Sequence, residues 1–149
     1  MDFASSKAAL EAAFEAAWAG TTTVIEPGGT APVRIVHENG PALKPEPNTK
    51  NGEAWVRFTV IEGDADAREI GTRNAQNFGH VIVSIFVGLG RGDAQALMLA
   101  TKVRDIFQQQ VHGGVICRET RAKAAGATPD NTWFQVNAWT PFEYESTPA

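Results

Sequence analysis

Three stretches of the chain alternate with a period of two, and in each the second face carries nearly as much apolar surface as the first. In residues 78–89, Val81, Val83, Ile85, Val87 and Leu89 share one face, while Phe78, His80, Ile82, Ser84 and Phe86 share the other. Residues 55–61 set Val56, Phe58 and Val60 against Trp55, Arg57, Thr59 and Ile61. Residues 133–144 set Phe134, Val136, Ala138 and Phe142 against Trp133, Gln135, Asn137 and Trp139. Side chains of a strand point alternately to opposite faces, so each stretch predicts a strand in a sheet that needs cover on both sides.

Two helices are available as cover. Phe3, Lys7, Leu10, Phe14 and Trp18 recur every three or four residues in an alanine-rich segment that Gly20 can end. Asp93 stands where an N-cap belongs, ahead of a stripe of Ala96, Leu99, Ala100, Val103, Ile106 and Phe107 that ends near Val111, before Gly113 and Gly114. The β-branched residues 21–25 predict a strand closed by Pro27 and Gly28, and residues 115–123 predict another with Arg118, Arg121 and Lys123 pointing outward. A turn through Gly126, Pro129, Asp130 and Asn131 leads into the last strand. The order αββαββ, without internal repeats, predicts one α+β domain over residues 1–149. Its sheet is mixed, mostly antiparallel and of four to five strands, with two main helices packed on one face. A chain of 149 residues fits one domain whose core needs no metal or disulfide staple.

Between the first two strands, residues 27–53 hold five of the eight prolines and four glycines around one short apolar segment, 33–36. A connection of that length predicts a long Pro-rich arm that touches something outside the domain. Two helices cover only one face of the sheet. The other would leave Trp55, Ile61, Phe78, Ile82, Phe86, Trp133 and Trp139 exposed, a patch that soluble monomers rarely show. It reads as a subunit contact or as the seat of the arm, folded back within the subunit or donated by a neighbour. The candidate interface residues are Trp55, Trp133, Gln135, Asn137 and Trp139, with Arg34 and Ile35 from the arm.

Composition and motifs argue against catalysis. A net charge of −4 disfavours a dedicated nucleic-acid module, and a single cysteine, Cys117, with no Asn-x-Ser/Thr sequon, predicts synthesis in a reducing cytoplasm. Residues 1–19 lack the basic start and apolar block of a signal peptide or membrane span. The junction Gly88-Leu89-Gly90-Arg91-Gly92-Asp93 has glycines before a helix but lacks phosphate-loop spacing, and its Arg-Gly-Asp tripeptide is read as a chance match. His37, His80 and His112 stand far apart. Glu62, Asp64, Asp66 and Glu69 read as a solvated acidic loop, and Cys117 as a core thiol. No Gly-x-Ser-x-Gly elbow, paired catalytic carboxylate or cofactor fingerprint is present. The expectation is a non-enzyme with no cofactor and no metal.

The whole-chain pattern resembles the tail terminator proteins of long-tailed bacteriophages and phage-like particles, the family of the lambdoid minor tail protein U. The resemblance rests on the alanine-rich opening helix, Val36-His37-Glu38-Asn39 in the Pro-rich arm, and Trp55-Val56-Arg57-Phe58-Thr59-Val60. It continues through Gly79 at the start of a hydrophobic strand, the junction 88–93 before a helix ending in Ile106-Phe107, and a closing Trp139-Thr140-Pro141-Phe142-Glu143-Tyr144. The resemblance implies a homohexameric ring on the last ring of the tail tube that stops its polymerisation and offers a joining surface for the head. Its partners would be copies of itself, the major tail-tube protein and a head completion or connector protein, in the virion tail at the head-tail junction and away from any membrane. DNA would pass through without specific binding, leaving Arg118, Arg121 and Lys123 as either a lumen lining or an intersubunit ion-pair set. The alternatives are another neck or head-tail joining component, and, from a different class, a small-molecule-binding domain.

Overall fold

Helix α1 (Phe3–Trp18) starts where Asp2 accepts a hydrogen bond from the Ser5 backbone N–H at 2.7 Å, satisfying one of the free donors of the first turn. Its buried face is Ser6, Leu10, Phe14 and Trp18. Lys7, expected in that stripe, lies half-exposed beside Glu11. The computed structural model describes residues 1–25, 28–48, 51–67 and 75–146. After α1 come β1 (Thr22–Val24), β2 (Thr30–Pro32), β3 (Arg34–His37), β4 (Trp55–Ala67) and β5 (Ala75–Gly88). Helix α2 (Ala94–Phe107) follows, then β6 (Val111–His112), β7 (Val115–Cys117), β8 (Arg121–Ala127) and β9 (Trp133–Ser146).

The fold is α+β, with a main sheet that is mixed and mostly antiparallel. Seven strands form it, more than the four to five expected, and β1 and β2 make a separate antiparallel pair. The main sheet runs β3-β4-β5-β9, and the far edge of β9 is divided between two partners. Its end around residues 142–143 pairs with β7, which continues to β6, and its start at 134–139 pairs with β8. The stretch 115–123, expected to be one strand, is therefore two, and α2 ends at Phe107 where the sequence suggested Val111. Beyond it, Gly113 and Gly114 both have positive φ, 57° and 87°, and turn β6 back onto β7 as a two-residue hairpin.

Among the described residues of 27–53 no extended arm is present. Thr30–Pro32 pairs with β1, and Arg34–His37 pairs in parallel with Trp55–Phe58. Two parallel strands cannot be joined by a tight turn, so residues 38–54 are the return connection that this pairing requires. The Trp18 indole N–H donates to the Val33 carbonyl at 3.0 Å, tying the supposed arm to α1. Pro27, Thr49 and Lys50 lie outside the described residues, as does Glu69 of the acidic stretch.

Both helices pack on one face of the sheet. One cluster joins Leu10, Phe14 and Trp18 of α1 and Leu99, Val103 and Phe107 of α2 to Val56, Phe58, Val81, Val83, Ile85, Val136 and Phe142 of the sheet. Cys117 is buried in this cluster, and burial pushes its thiol up from 9.0 to about 12. The folded state holds this proton more tightly than the unfolded one. Its stabilising share is therefore complete below about pH 9 and is lost as pH rises through about 12. Alkylation of Cys117 by N-ethylmaleimide at pH 8 is expected to be at least about tenfold slower in the native chain than in guanidinium. Equal rates would mean that the thiol is accessible and that the β7 edge is open. No helix among the described residues is long and apolar enough to cross a membrane.

Candidate assembly surface

The face of the sheet away from the helices is built from rows of residues that strand register places side by side. One row runs Arg34, Trp55, Phe86, Gln135; the next runs Val36, Arg57, Ser84, Asn137, Lys123; a third runs Thr59, Ile82, Trp139, Arg121. Toward the other end follow Ile61, His80 and Pro141, then Phe78, Glu143, Ile116 and Val111. Trp55, Trp133, Gln135, Asn137 and Trp139 all lie on this face and all are half-buried. Arg34 joins them. Ile35 does not, because its neighbour in the parallel register is Val56 and it packs against the core on the opposite face.

Aromatic contacts organise one end of the face. Trp55 stacks on Phe86 with ring centroids 4.1 Å apart and planes at 11°, and meets Trp133 edge-on at 6.1 Å. The Arg57 guanidinium lies 5.2 Å from the Phe86 ring and 5.9 Å from the Trp55 ring, so its charge sits above the aromatic floor. Between this floor and the return connection opens a cleft of about 610 Å³, lined in part by Leu43, Pro47, Trp55, Arg57, Asp130 and Trp133. Part of the Pro-rich segment thus folds back over the aromatic face and covers one corner of it. In the wall of the cleft, the Thr128 hydroxyl, 2.5 Å away, and the Thr132 backbone N–H hold the Asp130 carboxyl below the usual carboxylate range. The Trp55 indole N–H is covered yet has no hydrogen-bond partner among the described residues.

Cover thins toward the other end. Ile61 is 48% exposed, Ile116 39% and Val111 64%. Glu143 is buried here between the guanidinium of Arg118 and the side-chain amide of Gln76. Burial pushes the nearby Tyr144 hydroxyl pKa up, and its O–H donates to Glu62 at 3.2 Å.

Of the three cations singled out in the sequence, Arg118 is engaged within the subunit, while Arg121 and Lys123 lie on exposed β8 beside Trp139 and Asn137. The histidines are separate here too: His37 contacts Glu15 at 3.0 Å, and His112 contacts the Ile106 carbonyl at 2.8 Å, while His80 is exposed on the aromatic face. Among the described residues no three His, Cys, Asp or Glu side chains group as metal ligands. Gly90 and Gly92 supply positive-φ turn positions before α2, and Asp93 caps that helix by position with no side-chain hydrogen bond.

The helical stripe ending near Val111 hides Val111 and Ile116 as surface residues in the sequence. The adjacent glycines 113 and 114, set between Val111-His112 and Val115-Ile116, are the available signal for a hairpin. Arg57 reads in the sequence as an ordinary outward residue, because ring stacking across strands has no signature within one strand.

Comparison with known proteins adds three findings. A family model described as phage tail terminator protein matches residues 7–138. No curated protein sequence matches the chain significantly. One solved structure, 17% identical in sequence, superposes with a TM-score of 0.59 over 96% of this chain and 98% of that one, a likeness that shows the fold alone.

Proposed function

Since the chain belongs to the phage tail terminator family, a family of structural proteins, we propose that its copies form a hexameric ring that caps the tail tube, stops its polymerisation and presents the surface to which the head joins. The observation that carries this reading is the sheet face opposite the helices. Its own subunit leaves Trp139, Ile82 and Ile61 partly open beside a stacked aromatic cluster, and copies in a ring meet through unlike surfaces that cover such a face. The partners under this proposal are other copies, the major tail-tube protein and a head completion or connector protein. The site of action is the head-tail junction of the virion, and DNA passes through the ring without specific contacts.

Mass photometry or sedimentation of the pure protein at micromolar concentration, and again after mixing with tail tubes, tests the proposal. A ring in either sample supports it; monomer in both refutes it. Binding to isolated portal complexes but not to tube ends would assign the chain to another neck component instead. Trp139→Ala is expected to melt within about 3 °C of the parent, while the concentration at which it assembles rises about tenfold or more. Normal assembly with a lowered melting temperature would move Trp139 from the interface to the fold.

A further inference from the structure

Helix α2 covers the sheet with Ala96, Leu99, Ala100, Val103, Ile106 and Phe107. At the usual helical pitch, Ala94, Met98, Thr101 and Asp105 fall on the opposite side of its axis, and all of them are exposed. Met98, in the middle of this outward stripe, is 72% exposed, and Leu97 beside it is open as well. The stripe carries one acid and no base, because the two cations of the helix point elsewhere. Lys102 lies 5.8 Å from the Trp18 ring of its own chain, and Arg104 lines the groove between α2 and Ala122 of β8. On the far side of the two layers, the open sheet face is the complement of this stripe. Ile82 and Trp139 are half-covered there, in one row with Arg121 and beside the row that holds Lys123 and Arg57. Among the described residues no ion pair engages Asp105, Arg57, Arg121 or Lys123.

We propose that the outward face of α2 packs on the open sheet face of a neighbouring copy, with Met98 seated on Ile82 and Trp139 and Asp105 facing the β8 cations. The inference rests on the ring reading and names the two surfaces that meet in the ring. Each subunit is two layers, so its helix side and its open sheet side point in opposite directions. One such contact leaves an unlike surface free on each copy for the next, the head-to-tail arrangement that closes into a ring. A helix laid on a sheet is also how the subunit covers its other face. Charge agrees, since the acid of the stripe meets cations that lack partners within their own chain. Spacing agrees too: Met98 and Asp105 are separated by two turns, about 10.5 Å along the axis, and Ile82 and Arg121 by two strand spacings, about 9.6 Å. Met98 over Ile82 thus leaves Asp105 within reach of Arg121. Methionine suits the seat, because its flexible thioether adapts to an aromatic surface.

Cross-linking tests the contact directly. A chain carrying Met98→Cys and Ile82→Cys is treated with a short bismaleimide under conditions where it assembles, alone or on tail tubes; the native Cys117 is buried. A ladder of covalent species up to the hexamer is expected, and neither single-cysteine chain is expected to give one. Dimers from Met98→Cys alone would mean that the helices meet each other across a two-fold axis and would overturn the proposal, as would rings that yield no cross-link. Asp105→Arg and Arg121→Asp are each expected to raise the concentration needed for assembly about tenfold. Both in one chain are expected to return it to within about threefold of the parent, since every contact then carries the same pair reversed. A variant that melts well below the parent is replaced by Asp105→Asn or Arg121→Gln, with the same expected loss. Met98→Glu chains that still form rings but no longer bind tail tubes would give α2 to the tube protein and overturn the proposal. A parent protein that stays monomeric with and without tail tubes would instead refute the ring.

Discussion

Replacing Phe14 with alanine is expected to cost the fold about 3–5 kcal/mol and to lower its melting temperature by roughly 10 °C or more. Phe14 is fully buried, and its ring is the one that three elements share. It stacks on Trp18 of α1 at 5.0 Å, on Phe58 of β4 at 5.0 Å and on Phe107 of α2 at 6.0 Å. Truncation removes the transfer energy of the ring and leaves a cavity that two helices and a strand would have to close together, which rigid elements do poorly. Leu97→Ala on α2 is the control. That side chain is 49% exposed, and its loss is expected to change stability by about 0.5 kcal/mol or less. Thermal or urea unfolding measures both. If the Phe14 variant unfolded alongside the control, α1 would not be seated on the sheet as described.

Gly79→Ala is expected to destabilise by about 1–3 kcal/mol, although it adds a single methyl group. Gly79 has no positive φ, so the cost is steric and not conformational. A Cβ there would collide with the Ile61 carbonyl oxygen on β4 and with the ring of Phe142 on β9, which lies across the glycine in the core. Neither neighbour yields easily, since one is sheet backbone and the other a fully buried ring. Gly90→Ala makes the opposite comparison: nothing lies within 4 Å, but φ is +85°, so its cost of about 1 kcal/mol arises from the backbone alone. A double-mutant cycle separates the two mechanisms. Phe142→Leu is expected to recover part of the Gly79→Ala loss and none of the Gly90→Ala loss. Strict additivity of Gly79→Ala and Phe142→Leu would show that the ring does not occupy the space above the glycine.

Much of this architecture is legible in the chain because side-chain periodicity is a local property. The alternation at 55–61, 78–89 and 133–144 assigns Val56, Val83 and Val136 to one face and Trp55, Phe86 and Trp139 to the other, as the burial of the first set and the rows of the second show. The same counting finds both helices and requires an α+β fold with a face that two helices cannot cover. Which strand edge pairs with which is a different matter. Backbone hydrogen bonds between distant segments carry no side-chain code, so nothing in 33–36 announces parallel pairing with β4, and the connection that pairing demands looks like an arm. The break between β7 and β8 is equally silent, yet it brings Arg121 beside Trp139 and Lys123 beside Asn137 while Arg118 turns to Glu143. The sequence alone determined the faces of the strands, because each face is set by neighbours two residues away. Only the tertiary structure decided which residues share a surface, because that depends on the order and register in which strands far apart in the chain are brought together.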